Sequence, residues 1–144
     1  MPKSIRLPKA EHRKFNILLV DDDPDMLEMN REILQNEDYQ VTTAISGEAA
    51  TEILRTKNFD LVITDLNMGQ VNGISVLKNA KGLHPETMVI ITTGNIDVHY
   101  AIEAMRFNVD DYILKPFKIE ALLNRVLHCF EKQQIKRGNR KSAA

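Results

Sequence analysis

Five short runs rich in valine, isoleucine and leucine recur along the chain, at residues 17–20, 39–43, 61–64, 88–92 and 112–114. All but the second are continuously apolar rather than alternating, as expected of strands covered on both faces. The stretches between them change period. Met26, Leu27, Asn30, Ile33 and Leu34 form a helical stripe, as do Ala49, Ala50, Ile53 and Leu54 behind a capping Ser46. Ile74 and Leu77 follow Gly73; Val98, Ala101, Ile102 and Met105 follow Asp97; Ile119, Leu122, Leu123, Val126, Leu127 and Phe130 make the longest stripe. Strict alternation of strand and helix, five times over, predicts an α/β domain of (βα)5 type: a doubly wound parallel five-stranded sheet with helices on both faces.

Two strand orders suit such a chain. A dinucleotide-binding order needs a glycine-rich turn after the first strand, and here that turn reads DDDPD, which would repel a pyrophosphate. The order 2-1-3-4-5 instead sets the ends of strands one and three side by side at a switch point, where ligands bind in such sheets. That order is expected. The 144 residues suffice for one hydrophobic core, divided as an N-terminal extension (1–14), a core domain (15–132) and a basic C-terminal tail or linker (133–144).

Composition excludes more than it names. A net charge of −1 gives no global field for nucleic acid or an anionic membrane. The cations Lys132, Lys136, Arg137, Arg140 and Lys141 cluster after Glu131, where the plain reading is a solvated linker or frayed end. A lone Cys129 fits a reducing compartment. No run approaches membrane-spanning length and no signal peptide opens the chain, so a cytoplasmic location is expected. His12, His84, His99 and His128 lack the spacing of zinc ligands.

The acids carry the chemistry. Asp21 and Asp22 follow the first strand and Asp65 ends the third. Three carboxylates in one crevice raise one another's pKa unless a cation neutralises them, and an all-oxygen site of this charge suits Mg²⁺, with Mn²⁺ as an alternative. The fourth strand ends in Thr92-Thr93-Gly94 and the fifth in Lys115-Pro116. A carboxylate, a metal, a hydroxyl and an ammonium are the parts that phosphoryl transfer to an aspartate requires. Asp23 before Pro24 reads as a helix N-cap, and Asp25 as a first-turn acid favoured by the helix dipole.

These residues resemble the receiver domain of two-component response regulators, through ILLVDDDPDML, DLVITDLNM followed by Gly73, IITTGN and DDYILKPF, in the right order and at the right spacing over about residues 15–132. The stretch TGNIDVHYAIEAMRFNVDDYILKPF is closer still to receivers of transcriptional activators. The order 2-1-3-4-5 is one that family is known for, so fold and resemblance are not independent. The resemblance implies that Asp65 is the phosphoacceptor and that Asp21, Asp22, Asp65 and the backbone carbonyl of Asn67 hold Mg²⁺. It also implies that Thr93 and Lys115 meet the phosphoryl group, that the ring of Tyr112 turns inward when Thr93 moves, and that the Lys115–Pro116 bond is cis.

The implied function is a phosphorelay switch. A sensor histidine kinase is its donor, and a downstream effector reads the face of helix four, strand five and helix five, which includes Tyr112, His99, Glu103 and Arg106. A homodimer through helices four and five is a further expectation; membrane and nucleic-acid partners are not expected of this domain. The chain would be no enzyme beyond catalysing its own phosphorylation and dephosphorylation. Two rivals stand beside this reading: a Mg²⁺-dependent phosphatase with Asp21-x-Asp23 as nucleophile and acid, and a receiver-like interaction module that takes no phosphate. Three positions depart from the family pattern. Gly69 replaces a usual proline, which predicts a more mobile loop; Asn108 replaces glycine at a position expected to need positive φ; Asn72 replaces an aspartate.

Overall fold

The computed structural model of the protein describes residues 9–95 and 97–143. Residues 1–8 of the expected N-terminal extension, and the side chains of Arg140 and Lys141 in the expected tail, lie outside the described residues. After a 3-10 helix (Lys9–Lys14), strands β1 (Asn16–Val20), β2 (Gln40–Ala44), β3 (Leu61–Asp65), β4 (Met88–Thr93) and β5 (Asp111–Leu114) alternate with helices. The helices are α1 (Pro24–Asn36), α2 (Gly47–Thr56), α3 (Gly73–Leu83), α4 (Val98–Arg106) and α5 (Ile119–Ala143). All strand pairs are parallel, in the order β2-β1-β3-β4-β5. β3 and β4 are buried throughout, whereas the edge strands β2 and β5 keep exposed positions.

The period of two along each strand divides the core. Leu18, Val20, Val62, Val89 and Ile91 face one layer, with Ala50 and Leu54 of α2, Leu77 of α3 and Ala104 of α4. Ile17, Leu19, Ile63, Ile90 and Ile113 face the other, with Leu27 and Leu34 of α1 and Leu122, Val126 and Phe130 of α5. Local signals set the helix starts. The Asp23 carboxylate accepts from the N–H groups of Asp25 and Met26, with Pro24 opening α1. Ser46, Asn72 and Asp97 cap α2, α3 and α4 in the same way. Asn108, just past α4, takes φ 61°, the left-handed conformation that asparagine tolerates best after glycine.

One outcome differs from the sequence reading. The apolar stripe of α4 points away from the core: Val98, Ile102 and Met105 are 64%, 45% and 72% exposed, while Ala104 is fully buried and Tyr100 packs beside it. A nine-residue helix satisfies the core with its smallest side chain, since alanine lets it approach the sheet closely. The basic stretch after Glu131 continues α5. Gln133 Nε2 donates to Asp60 Oδ1 at 2.6 Å, and Arg137 reaches the same oxygen at 3.4 Å. At the chain start, His12 stacks on Tyr39 with centroids 4.3 Å apart, and its Nδ1 donates to the Glu37 carbonyl at 2.7 Å.

Candidate functional site

The carboxyl ends of β1, β3, β4 and β5 converge on one crevice. β1 delivers Asp21, whose N–H is held by the Ala44 carbonyl at the end of β2 and whose Oδ1 accepts from the Asp23 N–H at 3.0 Å. β3 delivers Asp65, 9% exposed. One carboxylate oxygen from each of Asp21, Asp22 and Asp65 lies within 4.8 Å of the other two, and Asp22 is the exposed member of the three. Lys115, at the end of β5, places Nζ 3.3 Å from Asp21 Oδ2 and 3.6 Å from Asp65 Oδ1. Its backbone N–H donates to the Thr93 carbonyl at 2.7 Å, and the Lys115–Pro116 peptide bond is cis.

Charge is unbalanced here. Burial pushes the Asp65 carboxyl above the usual carboxylate range; the Lys115 ammonium draws it back, the Asp21 charge adds to the rise, and the N–H groups of Leu66 and Asn67 oppose it. One ammonium against three carboxylates leaves excess negative charge, and every carboxylate donor in the cluster is oxygen. That is the donor set of a hard divalent cation.

Thr93 is fully buried at the end of β4. Its hydroxyl donates to the Asn95 carbonyl at 3.2 Å and accepts from the Asn95 N–H at 3.1 Å, so it closes the turn after the strand. Tyr112 pairs with Ile91 across the sheet and, like Tyr100, packs against the α2–α4 side of the core. Its hydroxyl is enclosed and without a hydrogen-bond partner among the described residues. Burial, then the charge of Asp97, raise the phenol pKa; the Thr93 hydroxyl opposes that rise without meeting hydrogen-bond geometry. Asn67 follows Asp65 by two residues with its side chain exposed.

Sequence reasoning missed an apolar groove of about 480 Å³ beside Lys115, walled by Met26, Met29, Ile33, Pro116, Phe117 and Leu122. Met29 lies off the stripe of α1, so only the approach of the β5–α5 connection makes the groove. A polar cleft of about 410 Å³ lies at the opposite pole, lined by Asp60, Lys81, Asp110 and Gln133 among others, and holds none of the expected site residues.

The family model of the response regulator receiver domain matches residues 17–127. The chain is 37% identical over 111 residues to the transcriptional regulatory protein ZraR of Escherichia coli (strain K12), covering 77% of this chain and 25% of that protein. It is 37% identical over 126 residues to the two-component response regulator ARR10 of Arabidopsis thaliana, covering 86% and 23%. It thus spans about a quarter of the length of these curated relatives. Among solved structures, a receiver domain protein (CheY-like) of Methanospirillum hungatei JF-1 aligns with TM-score 0.82 at 26% identity, covering 85% of this chain and 98% of that one.

Proposed function

This chain belongs to the response regulator receiver domain family, and we propose that it accepts a phosphoryl group on Asp65 from a phosphohistidine of a sensor kinase. The observation that carries this is Asp65 itself: buried at the centre of the crevice, beside two further carboxylates and 3.6 Å from a lysine. An Asp65 carboxylate oxygen attacks phosphorus in line. The P–N bond breaks, and the leaving imidazole nitrogen keeps the bonding pair and later takes a proton from water. Lys115 leaves its bridge between Asp21 and Asp65 to pair with the transferred oxygens.

Asp21, Asp22, Asp65 and the Asn67 backbone carbonyl would hold Mg²⁺, or Mn²⁺ in its place. Bound there, the cation supplies the positive charge that the three carboxylates lack and that a phosphoryl group needs.

The product is a conformation. Thr93 gives up two hydrogen bonds to Asn95 in order to reach the phosphoryl group, and a charged acceptor rewards it about twice as well as a neutral one. Contacts made only in the phosphorylated form supply the differential binding that shifts a two-state equilibrium. Tyr112 is the residue that responds. An unpaired buried hydroxyl costs about 1–3 kcal/mol, so little holds the ring in place when Thr93 moves. An effector or a second copy would read the neighbouring face, where Val98, Ile102, Met105 and Leu114 are exposed beside His99 and Arg106. Among the described residues no helix is long and apolar enough to cross a membrane, and the free Cys129 suits a reducing cytoplasm.

The phosphatase reading loses its acid, because the Asp23 side chain is spent on capping α1. The deciding experiment is intact-mass measurement after incubation with acetyl phosphate and Mg²⁺. One added phosphoryl group is expected on wild type and none on Asp65→Asn. No adduct with acetyl phosphate, phosphoramidate or a phosphorylated kinase would leave the phosphate-independent interaction module as the better reading.

A further inference from the structure

Two helices begin with glycine, and neither glycine is there for its backbone freedom. Gly47 opens α2 and Gly73 opens α3, yet among the described glycines positive φ occurs only at Gly69. Contact explains both. A Cβ built on Gly73 would lie 2.5 Å from the carbonyl oxygen of Asp65, 2.9 Å from Cα of Leu66 and 3.1 Å from the carbonyl carbon of Asp65. All three are main-chain atoms, so no rotamer change can relieve the clash. The Gly73 N–H also donates to the Leu66 carbonyl at 2.9 Å. On the far side of the same loop, a Cβ on Gly47 would lie 2.3 Å from the Val71 carbonyl oxygen and 2.5 Å from its Cγ1. Gly82, within α3, has nothing within 4 Å of its Cβ position.

The peptide after Asp65 is therefore held from two directions. In the sheet, the Leu66 N–H donates to the Thr92 carbonyl at 2.9 Å. From the helical layer, the first residue of α3 lies against it at a distance only a hydrogen side chain permits.

We propose that Gly73 is a positioning residue for phosphoryl transfer: it seats the main chain of Asp65 so that the carboxylate meets Lys115 and the two neighbouring acids, with Gly47 as a second support through Val71. This rests on the reading of Asp65 as phosphoacceptor. A methyl group at position 73 falls nearly 1 Å short of the 3.4 Å at which ordinary contact begins, so Asp65, Leu66 or α3 must shift. A misplacement of about 1 Å costs on the order of 100-fold in rate.

The test compares Gly73→Ala with Gly82→Ala, the same change in the same helix. Both are studied at a temperature where circular dichroism shows each variant fully folded. The first-order constant for phosphorylation by acetyl phosphate at saturating Mg²⁺ and the Mg²⁺ dissociation constant are measured. Gly73→Ala is expected to lower the rate constant about 10- to 100-fold and to weaken Mg²⁺ binding, while Gly82→Ala stays within about 2-fold of wild type in both. A folded Gly73→Ala protein with wild-type rate and Mg²⁺ affinity, differing only in its unfolding midpoint, overturns the proposal. Should Gly73→Ala fail to fold, Gly47→Ala decides: a slowed rate in the folded variant supports the seat, and a wild-type rate overturns it. If wild type itself takes no phosphoryl group, the phosphoacceptor reading fails. Mg²⁺ titration still judges Gly73, since weaker binding by the alanine variant supports positioning and equal binding refutes it.

Discussion

Asp60→Ala should release the end of α5 while leaving the crevice at the other end of β3 intact. The Asp60 carboxylate lies just before β3, where Oδ2 accepts from the Asn16 N–H at 2.7 Å and Oδ1 from Gln133 Nε2 at 2.6 Å. A hydrogen bond to a charged group contributes about 1.5–3 kcal/mol. The Arg137 contact, long and half exposed, adds nothing measurable. Part of the gain is offset by the desolvation of a carboxylate that is itself mostly buried. A net loss of about 2–3 kcal/mol follows, or about 5–10 °C in Tm for a domain of this size. The backbone of Asp60 keeps its own bonds to Asn16 and Met88, so β3 should not move.

Urea denaturation should show a lower midpoint with unchanged slope. Hydrogen exchange should quicken at residues 133–138 but not at 119–130, where Leu122, Val126 and Phe130 are buried. Phosphorylation should stay within about 2-fold of wild type. A stability loss below about 0.5 kcal/mol with unchanged exchange past residue 132 would refute the clamp. The helical extension would then be held by its own propensity.

Asp65→Asn should raise stability at pH 7 without Mg²⁺, since it removes a carboxylate that burial disfavours more than the Lys115 ammonium favours it, while Lys115 keeps Asp21 as a partner. A raised native pKa contributes stability below the unfolded value that is lost as pH rises through the native one. Urea titrations of both proteins should therefore show the gap narrowing from pH 7 toward pH 4, and a widening gap would contradict the assignment. Burial pushes the Cys129 thiol up to about 12 from an ordinary value near 9. Iodoacetamide at pH 8.5 should label it only as fast as the protein opens, and stability should decline between pH 9 and 12 as the unfolded thiol ionises. Gly69→Pro, though it introduces the residue usual in the family, should cost more than about 1 kcal/mol in denaturant, because φ is +84° there and proline is locked near −65°. Gly69 has open space around it, so unchanged stability would count directly against that backbone conformation.

Much of the fold was legible because its signals are local. Asp23 with Pro24, and Ser46, each announce a helix start through bonds that reach no further than three residues. Asn108 announces a left-handed position for the same reason. The acids at strand ends were legible once alternation implied a parallel sheet, since topology then carries residues 44 positions apart, Asp21 and Asp65, to one crevice. Illegible were features that depend on what lies opposite. The stripe of α4 has the period of a buried face, yet the core takes Ala104. Lys132, Lys136 and Arg137 looked like solvated linker, because nothing beside them in the chain shows that Gln133 and Arg137 would find Asp60.

The sequence by itself determined the alternation of strand and helix, the starts of the helices and the identity of the groups in the crevice. Hydrophobic period, capping chemistry and side-chain type are all properties of neighbouring residues. Only the tertiary structure decided that the Tyr112 hydroxyl is enclosed, that α5 is tied to the start of β3, that an apolar groove opens beside Lys115, and that Gly73 is glycine for want of space. Those are distances between atoms remote in the chain, set by how two helical layers close on a twisted sheet, and no local pattern encodes them.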